Sequence, residues 1–204
     1  MATRKYDQRL RAEAAAETRR RILDAVAERL REAPTETLSL DHVARLAKVA
    51  RSTIYVVFDS RAGLFDAFAR DLWERTGLAD LTEAVASDDA RAHLRGGIAA
   101  SCKMYAADLE LYRVLFAMSL LDPDSVGGAI KAKEENRRGG MEYLAKRLAE
   151  GGELRDDVTR KQAVNVLWMM ASFEAFDLLH TGQGLSVDKA VDALVTTAER
   201  TLCR

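Results

Sequence analysis

The run Leu38-Ser39-Leu40-Asp41-His42-Val43-Ala44-Arg45-Leu46-Ala47, then Lys48-Val49-Ala50-Arg51, then Ser52-Thr53-Ile54-Tyr55-Val56-Val57-Phe58, decides how the chain folds. Ser39 is a good helix N-cap, and Asp41 suits the positive end of the helix dipole. Leu40, Val43, Ala44 and Ala47 follow as an apolar stripe at helical spacing. Such a helix has only about two turns and must pack on neighbours. Residues 52–58 are rich in strand formers, so propensity alone reads a strand. Alternation fails there, because Ile54, Val56 and Phe58 on one face and Tyr55 and Val57 on the other are all apolar. A helix instead buries Ile54 and Phe58 as an i, i+4 pair. It then exposes Arg51, Ser52, Thr53, Tyr55, Val56 and Val57. Two short helices joined by a tight turn, with a third before them, make a helix-turn-helix whose second helix enters the major groove. Two adjacent exposed valines are hard to place on a plain surface and fit thymine methyl groups.

The flanks agree. Upstream, Ile22, Leu23, Val26, Ala27 and Leu30 form one helical face, and Pro34 ends that helix. Downstream, Asp59-Ser60 caps a helix with Leu64, Phe65, Phe68 and Leu72 inward. The chain has 204 residues, 48% hydrophobic and 31% charged, an ordinary globular mix. Aromatic residues are 6%, and Ala, Leu, Arg and Glu abound, which favours helix over sheet. With 2 Pro and 12 Gly, collagen-like and Pro-rich disordered readings fall away. Two cysteines, Cys102 and Cys203, exclude a disulfide framework and a four-Cys zinc site. The longest apolar run is six residues, Val166 to Ala171, far short of a membrane span. The N-terminus has no apolar core of a signal peptide, so a reducing cytoplasm is the expected location. Net charge is −1, yet residues 1–62 hold 13 Lys/Arg against 9 Asp/Glu, a basic front before an acidic remainder.

Residues 38–65, with the small-residue turn, Thr53-Ile54-Tyr55, Phe58, a basic residue at 61 and Leu64 in fixed register, resemble the DNA-binding domain of TetR/AcrR-family transcriptional regulators. The resemblance covers about residues 17–66. A softer one lies in Gly152-Glu-Leu-Arg-Asp-Asp157, Phe173–Gly182 and Gly184-Leu-Ser186, which look like the last two helices of many members. It implies an all-α homodimer of about nine helices. Residues 1–16 would be a basic tail, 17–62 the helix-turn-helix domain, and 63–204 a helical ligand-binding and dimerisation domain. By position, Thr53, Tyr55 and Arg61 match residues that usually hold phosphates. Arg51, Ser52, Val56 and Val57 match those that usually face bases or their methyls. Ser39 caps a helix whose N-terminus often meets a phosphate.

Three positions depart from the family pattern. Lys48 stands where Gly is usual, in a turn where positive φ is common, and that geometry would cost a Lys on the order of 1 kcal/mol unless a phosphate contact offsets it. Ala50 replaces the usual capping Ser. Val57 replaces a usual His or Tyr. Together these leave the operator sequence less legible than the fold.

Outside the head, the segment Arg4-Lys5-Tyr6-Asp7-Gln8-Arg9-Leu10-Arg11 reads either as a frayed solvated end or as a minor-groove arm. Residues 88–121 read as one long helix or two consecutive ones, broken by Asp122-Pro123-Asp124, with another helix over 124–150. Paired glycines at 96–97, 127–128, 139–140 and 151–152 mark helix ends and close contacts, or hinges. Residues 158–181 carry apolar side chains all round a helix, which predicts burial on every side. The final helix has the stripe Val187, Val191, Leu194, Val195, Ala198 and Leu202. The surplus apolar surface of these two helices predicts a homodimer joined as a four-helix bundle. Tyr105, Tyr112, Phe116, Trp168, Met169 and Phe173 are candidate walls of an effector pocket, and the scarcity of polar groups among them points to an apolar or aromatic effector.

No cofactor, metal site or catalytic motif emerges. His42, His93 and His180 lack metal-ligand spacing, and Cys102 in an apolar stretch reads as a core residue. Asp88-Asp89 and Asp156-Asp157 sit at expected helix starts, where acids cap. Glu174 reads as an interface hydrogen-bonding group. Glycine-rich phosphate loops, G-x-S-x-G and H-E-x-x-H are all missing. The expected protein is therefore not an enzyme but a ligand-responsive regulator, a repressor binding a palindromic operator as a dimer and released by a small molecule. Two rivals stay open. One is an all-α carrier or enzyme with a vestigial head. The other is a protein-interaction adaptor using the C-terminal bundle.

Overall fold

The computed structural model of the chain describes residues 2–204, leaving aside the side chains of 2–5, 7, 125 and 127. It is all-helical, as the composition predicts. The helices are α1 (Ala2–Glu32), α2 (Leu40–Leu46), α3 (Arg51–Phe58), α4 (Arg61–Thr76), α5 (Leu78–Val85), α6 (Ala90–Ala107), α7 (Leu109–Leu121), α8 (Pro123–Glu150), α9 (Arg160–Met170), α10 (Phe173–Asp177) and α11 (Val187–Leu202). A π-helical turn, Leu178–Gly182, continues α10. The described residues thus form eleven α-helices rather than about nine. The extra ones come from α5 and from the division of 158–181.

The chain divides into two compact units. One holds the residues up to Leu72 together with Glu110–Ile130, and the other holds Trp73–Leu109 and Lys131–Arg204. The segment 110–130 thus shares a compact unit with the residues up to Leu72. Two contacts show why. Asp66 on α4 accepts the backbone N–H of Ala129 at 2.7 Å, and its carboxylate lies 3.0 Å from where a Cβ on Gly128 would stand. Arg61 on α4 lies 4.0 Å from Asp122 at the α7–α8 corner.

In the head, Ile22, Leu23, Val26, Ala27 and Leu30 of α1 are buried with Leu40, Val43, Ala44 and Ala47 of the α2 region, Ile54 and Phe58 of α3, and Leu64, Phe65, Phe68 and Leu72 of α4. Each large aliphatic or aromatic side chain so buried stabilises by about 1.5–3 kcal/mol. One boundary is corrected. Residues 2–16 do not precede the first helix but form its opening turns. Every described side chain there is exposed, so these turns rest on the helix propensity of Ala, Arg and Glu and on pairs such as Arg9–Glu13 at 3.4 Å. Arg4, Lys5 and Asp7 of the expected tail lie outside the described side chains.

In the second unit α6 packs on α5 and α11, and α11 packs on α9. The 88–121 stretch resolves as two helices, separated at Asp108 with φ −152 and ψ 64. Asp89 caps α6, its carboxylate accepting from Ala92 N–H at 2.7 Å. Asp156 and Asp157 do not cap. They pair with Arg204 and Arg155, and Thr159 caps α9 in a capping box with Gln162. The stretch 158–181 is corrected in two ways. It is interrupted at Ala171, where Ser172 starts α10 by accepting from Ala175 N–H at 3.1 Å. Nor is it buried on every side, since Met169 is 53% exposed and Leu178 66%. Glu174 sits exposed in the first turn of α10.

The α3–α4 corner tolerates no side chain at Gly63, where a Cβ would stand 2.1 Å from the Phe58 carbonyl oxygen. Gly63→Ala is therefore expected to destabilise the chain by about 1–3 kcal/mol, because backbone must move. Chemical denaturation at neutral pH checks this, and an unchanged midpoint would contradict the geometry.

Candidate nucleic-acid interface

The candidate interface is built on α2, the turn after it, and α3. Ser39 caps α2 as expected, its Oγ accepting from His42 N–H at 3.4 Å. The chain leaves α2 through Ala47 and then Lys48, which has φ +53, the left-handed geometry that favours glycine. Ala50, in extended geometry with no side-chain hydrogen bond, precedes α3. Helix α3 thus starts without the cap a Ser would give, and packing holds it instead. Ile54 is 1% exposed and Phe58 6%, and the Arg19 guanidinium of α1 lies 4.8 Å over the Phe58 ring.

That anchoring turns the polar side of α3 outward. Arg51, Ser52, Tyr55 and Val56 are exposed, Val56 by 84%, while Thr53 and Val57 are half-buried. Ser39 and Lys48 are exposed beside them. Arg51 is held in place by Asp41 of α2 at 3.1 Å and by the Tyr55 hydroxyl at 3.5 Å. Asp41 thus orients a cation of the other helix, a role that its capping position alone does not reveal. Arg61 differs from the rest of the expected set. Its Nη1 donates to the Leu38 carbonyl at 2.6 Å, and its guanidinium covers the Phe65 ring at 5.5 Å. The structure gives it an internal task, tying α4 to the entry of α2.

Of the six expected effector-pocket residues, Tyr112 and Phe116 lie in the first unit and Tyr105, Trp168, Met169 and Phe173 in the second. Tyr112 and Phe116 stack within the first unit, 6.4 Å between centroids. Tyr105 meets Phe173 edge-on at 5.4 Å in the second unit. Trp168 lies beneath Arg137, 3.7 Å from ring centroid to guanidinium, and Met169 faces solvent. A groove of about 630 Å³ runs along Glu74, Leu78, Ala79, Thr82 and Ala86, and a recess of about 320 Å³ lies between Gly77, Ala84, Gly96 and Met104. None of the six lines either one.

The ionisable groups of the second unit hold one that sequence reasoning missed. Burial pushes the Lys133 ammonium down to about 7, a shift only partly opposed by Glu134. Its helix offers a signal in retrospect. Lys133 and Arg137 interrupt an apolar stripe that runs through Val126, Ile130, Leu144 and Leu148. His93 is buried and held below the usual histidine range, by burial first and by Arg147 second, with Arg147 Nη1 3.2 Å from Nδ1. His180 Nδ1 donates to the Leu185 carbonyl at 2.7 Å. Burial raises the Cys102 thiol to about 12, consistent with a core residue. Among the described residues no group of three or more His, Cys, Asp or Glu could hold a metal ion. No described helix is long and apolar enough to cross a membrane.

Two predictions follow from strained or buried cations. Lys48→Gly is expected to raise the denaturation midpoint, by about 1 kcal/mol of stability, because the turn keeps its left-handed residue without a Cβ penalty. No rise, or a fall, would show that the turn is unstrained. For Lys133 the unfolded amine titrates near 10.4, so between pH 7 and 10 the unfolded chain holds a proton that the folded chain has lost. Stability from this group is therefore full above about pH 10.4 and is lost as pH falls towards 7. The stability advantage of Lys133→Met over the parent chain should be largest at pH 6 and shrink steadily towards pH 10. An advantage independent of pH would contradict the buried, depressed amine.

Residues 22–68 match the family model described as "Bacterial regulatory proteins, tetR family". No curated protein matches the chain. Solved structures do. NalD, the secondary repressor of the MexAB-OprM multidrug efflux pump in Pseudomonas aeruginosa, superposes with a TM-score of 0.71 at 22% identity, covering 93% of this chain and 98% of that one. A TetR transcription regulator from Haloarcula marismortui gives 0.71 at 16%, covering 93% and 100%. A TetR-like transcriptional regulator from Rhodococcus sp. RHA1 gives 0.66 at 18%, covering 90% and 94%. The chain carries a tetR-family helix-turn-helix head, at residues 22–68, on the fold of TetR-family transcriptional regulators.

Proposed function

We propose that the chain is a ligand-responsive transcriptional regulator, a cytoplasmic repressor that binds a palindromic operator as a homodimer and is released by a small molecule. The observation that carries this reading is the outward face of α3. A helix anchored by Ile54 and Phe58 presents Arg51, Ser52, Tyr55 and an 84%-exposed Val56 together. An exposed valine between polar and cationic groups suits a thymine methyl flanked by phosphates. In this reading Arg51, Ser52, Val56 and Val57 face bases. Thr53, Tyr55, Lys48 and the α2 terminus at Ser39 take phosphates. Arg61 acts from behind, positioning α2.

Dimerisation would use the C-terminal helices. Met169 and Leu178 are more than half exposed, and Val187, Val191 and Val195 of α11 remain half-buried along one edge. A second copy would cover these groups. The dimer would set two recognition helices about 34–36 Å apart, or a multiple of a helical turn, for successive major grooves. An effector, apolar or aromatic in body, would favour another spacing and so release the operator by its differential affinity. NalD is described as a repressor, which supports the sign proposed here.

Fluorescence anisotropy with DNA from upstream of the chain's own gene, across a salt series, tests the reading. The expected result is binding at least about a thousandfold tighter than to an unrelated duplex. Tyr55→Ala should weaken binding to both duplexes by a similar factor, because phosphate contacts carry no sequence information. Equal, weak and steeply salt-dependent binding to both would overturn specific readout. No binding even at low salt would favour the carrier or enzyme with a vestigial head.

A further inference from the structure

Within the second unit α5 packs on α6 through small residues, and the recess of about 320 Å³ opens between them. Gly77, Asp80 and Ala84 line one side of it, spaced i, i+3 and i+7. Gly96, Ala100 and Lys103 of α6 line the other, spaced i, i+4 and i+7. The two helical faces therefore look at each other. At one end they nearly touch, since a Cβ on Gly96 would stand 3.2 Å from the Cβ of Ala84. At the other, a Cβ on Gly77 would stand 3.9 Å from the Cβ of Met104, a residue 1% exposed. Between those ends Ala100 is too short to fill the space. The recess carries one charge of each sign. The Asp80 carboxylate turns back over its Gly77 end, with Oδ2 3.9 Å from the position of that same Cβ. Lys103 reaches it from α6. Among the described residues neither Asp80 nor Lys103 has a hydrogen bond or an ion pair, so the two do not neutralise each other. A mutual pair at so exposed a place would add only about 0–1 kcal/mol, so little opposes a ligand that takes both charges.

We propose that this recess binds the effector, and that the effector is a free amino acid with an apolar or aromatic side chain. Its ammonium donates to the Asp80 carboxylate, and its carboxylate accepts from the Lys103 ammonium. Its side chain lies against Met104 and the alanines. This rests on the reading of the chain as ligand-responsive and names the chemical class of the ligand. The charges select by exclusion as well as by attraction. A plain organic anion meets the like charge of Asp80, and a plain cation meets that of Lys103, whereas a molecule with both charges satisfies both. The volume sits at the low end of the roughly 300–1,000 Å³ of ligand pockets, which suits a small metabolite.

Calorimetric titration of the full chain at neutral pH tests this. The probes are L-leucine, L-methionine and L-phenylalanine, each with its N-acetyl derivative, which lacks the ammonium, and its amide, which lacks the carboxylate. The expected result is saturable binding of at least one amino acid, at least about tenfold (about 1.4 kcal/mol) tighter than either derivative. Asp80→Asn should abolish the preference over the N-acetyl derivative, and Lys103→Met the preference over the amide. Ala100→Leu, which fills the recess, should abolish binding. Circular dichroism on every variant confirms that it is folded. The bound amino acid should also weaken operator binding, read by fluorescence anisotropy. Derivatives binding as tightly as the amino acids, preferences unchanged in folded Asp80→Asn and Lys103→Met, no binding up to millimolar concentration, or amino-acid binding that leaves operator affinity unchanged would each overturn the proposal. A chain that binds its operator but none of the amino acids loses only this site. One that binds amino acids but no DNA loses the regulator reading instead.

Discussion

Phe58 is the constraint on which the rest of the head depends. Its ring lies in the core beneath the Arg19 guanidinium, and its carbonyl sits against Gly63 and accepts from Ser60 N–H at 2.7 Å. The next residue, Asp59, has φ +66, so the chain reverses there with an unusual non-glycine geometry. One residue thus closes the core with its ring and, through its backbone, sits at the corner between α3 and α4. Without it α3 has little to hold it. The helix has eight residues, no side-chain cap at Ala50, and several β-branched residues that lower its intrinsic propensity. Tertiary packing overrides local preference here, and this is why a stretch of strand formers is helical.

The same anchoring fixes what faces outward. With Ile54 and Phe58 turned in, the helical period leaves Arg51, Ser52, Tyr55 and Val56 on the free side. Asp41 then orients Arg51 across the turn. An exposed ion pair of this kind adds little stability, on the order of 0–1 kcal/mol, so its effect is positional. Behind the face, Arg61 ties α4 to the carbonyl before Ser39. Asp66 and Arg61 also reach the α7–α8 corner from the same helix. The segment 110–130 accordingly forms one compact unit with the head, although the chain runs through the second unit on either side of it.

The head was largely legible because each device is local. Ser39, the Leu40–Ala47 stripe, the Ile54–Phe58 pair and the Ser60 cap follow from spacing and capping rules within a few residues. The left-handed Lys48 could be expected only through family resemblance, since a lysine itself gives no sign of positive φ. The second unit was less legible. Its contacts join residues far apart in sequence, such as Lys133 with Trp73 and Tyr105, and no local pattern announces them. Asp156-Asp157 misled because acids before a helix resemble caps, whereas Thr159 offered both halves of a capping box. The continuous apolar character of 158–181 concealed a break that Ser172 makes.

In the proposed function α3 is a reading helix presented twice, by two copies of the chain on one duplex. Hydroxyl-radical footprinting of the bound operator, combined with sedimentation of the complex, tests this. Two chains per duplex, or a multiple of two, are expected, with a two-fold symmetric pattern whose half-site centres lie about 34–36 Å apart along the helix axis, or a multiple of a helical turn. A single unsymmetric footprint with one chain bound, or uniform protection with no half-sites, would contradict it.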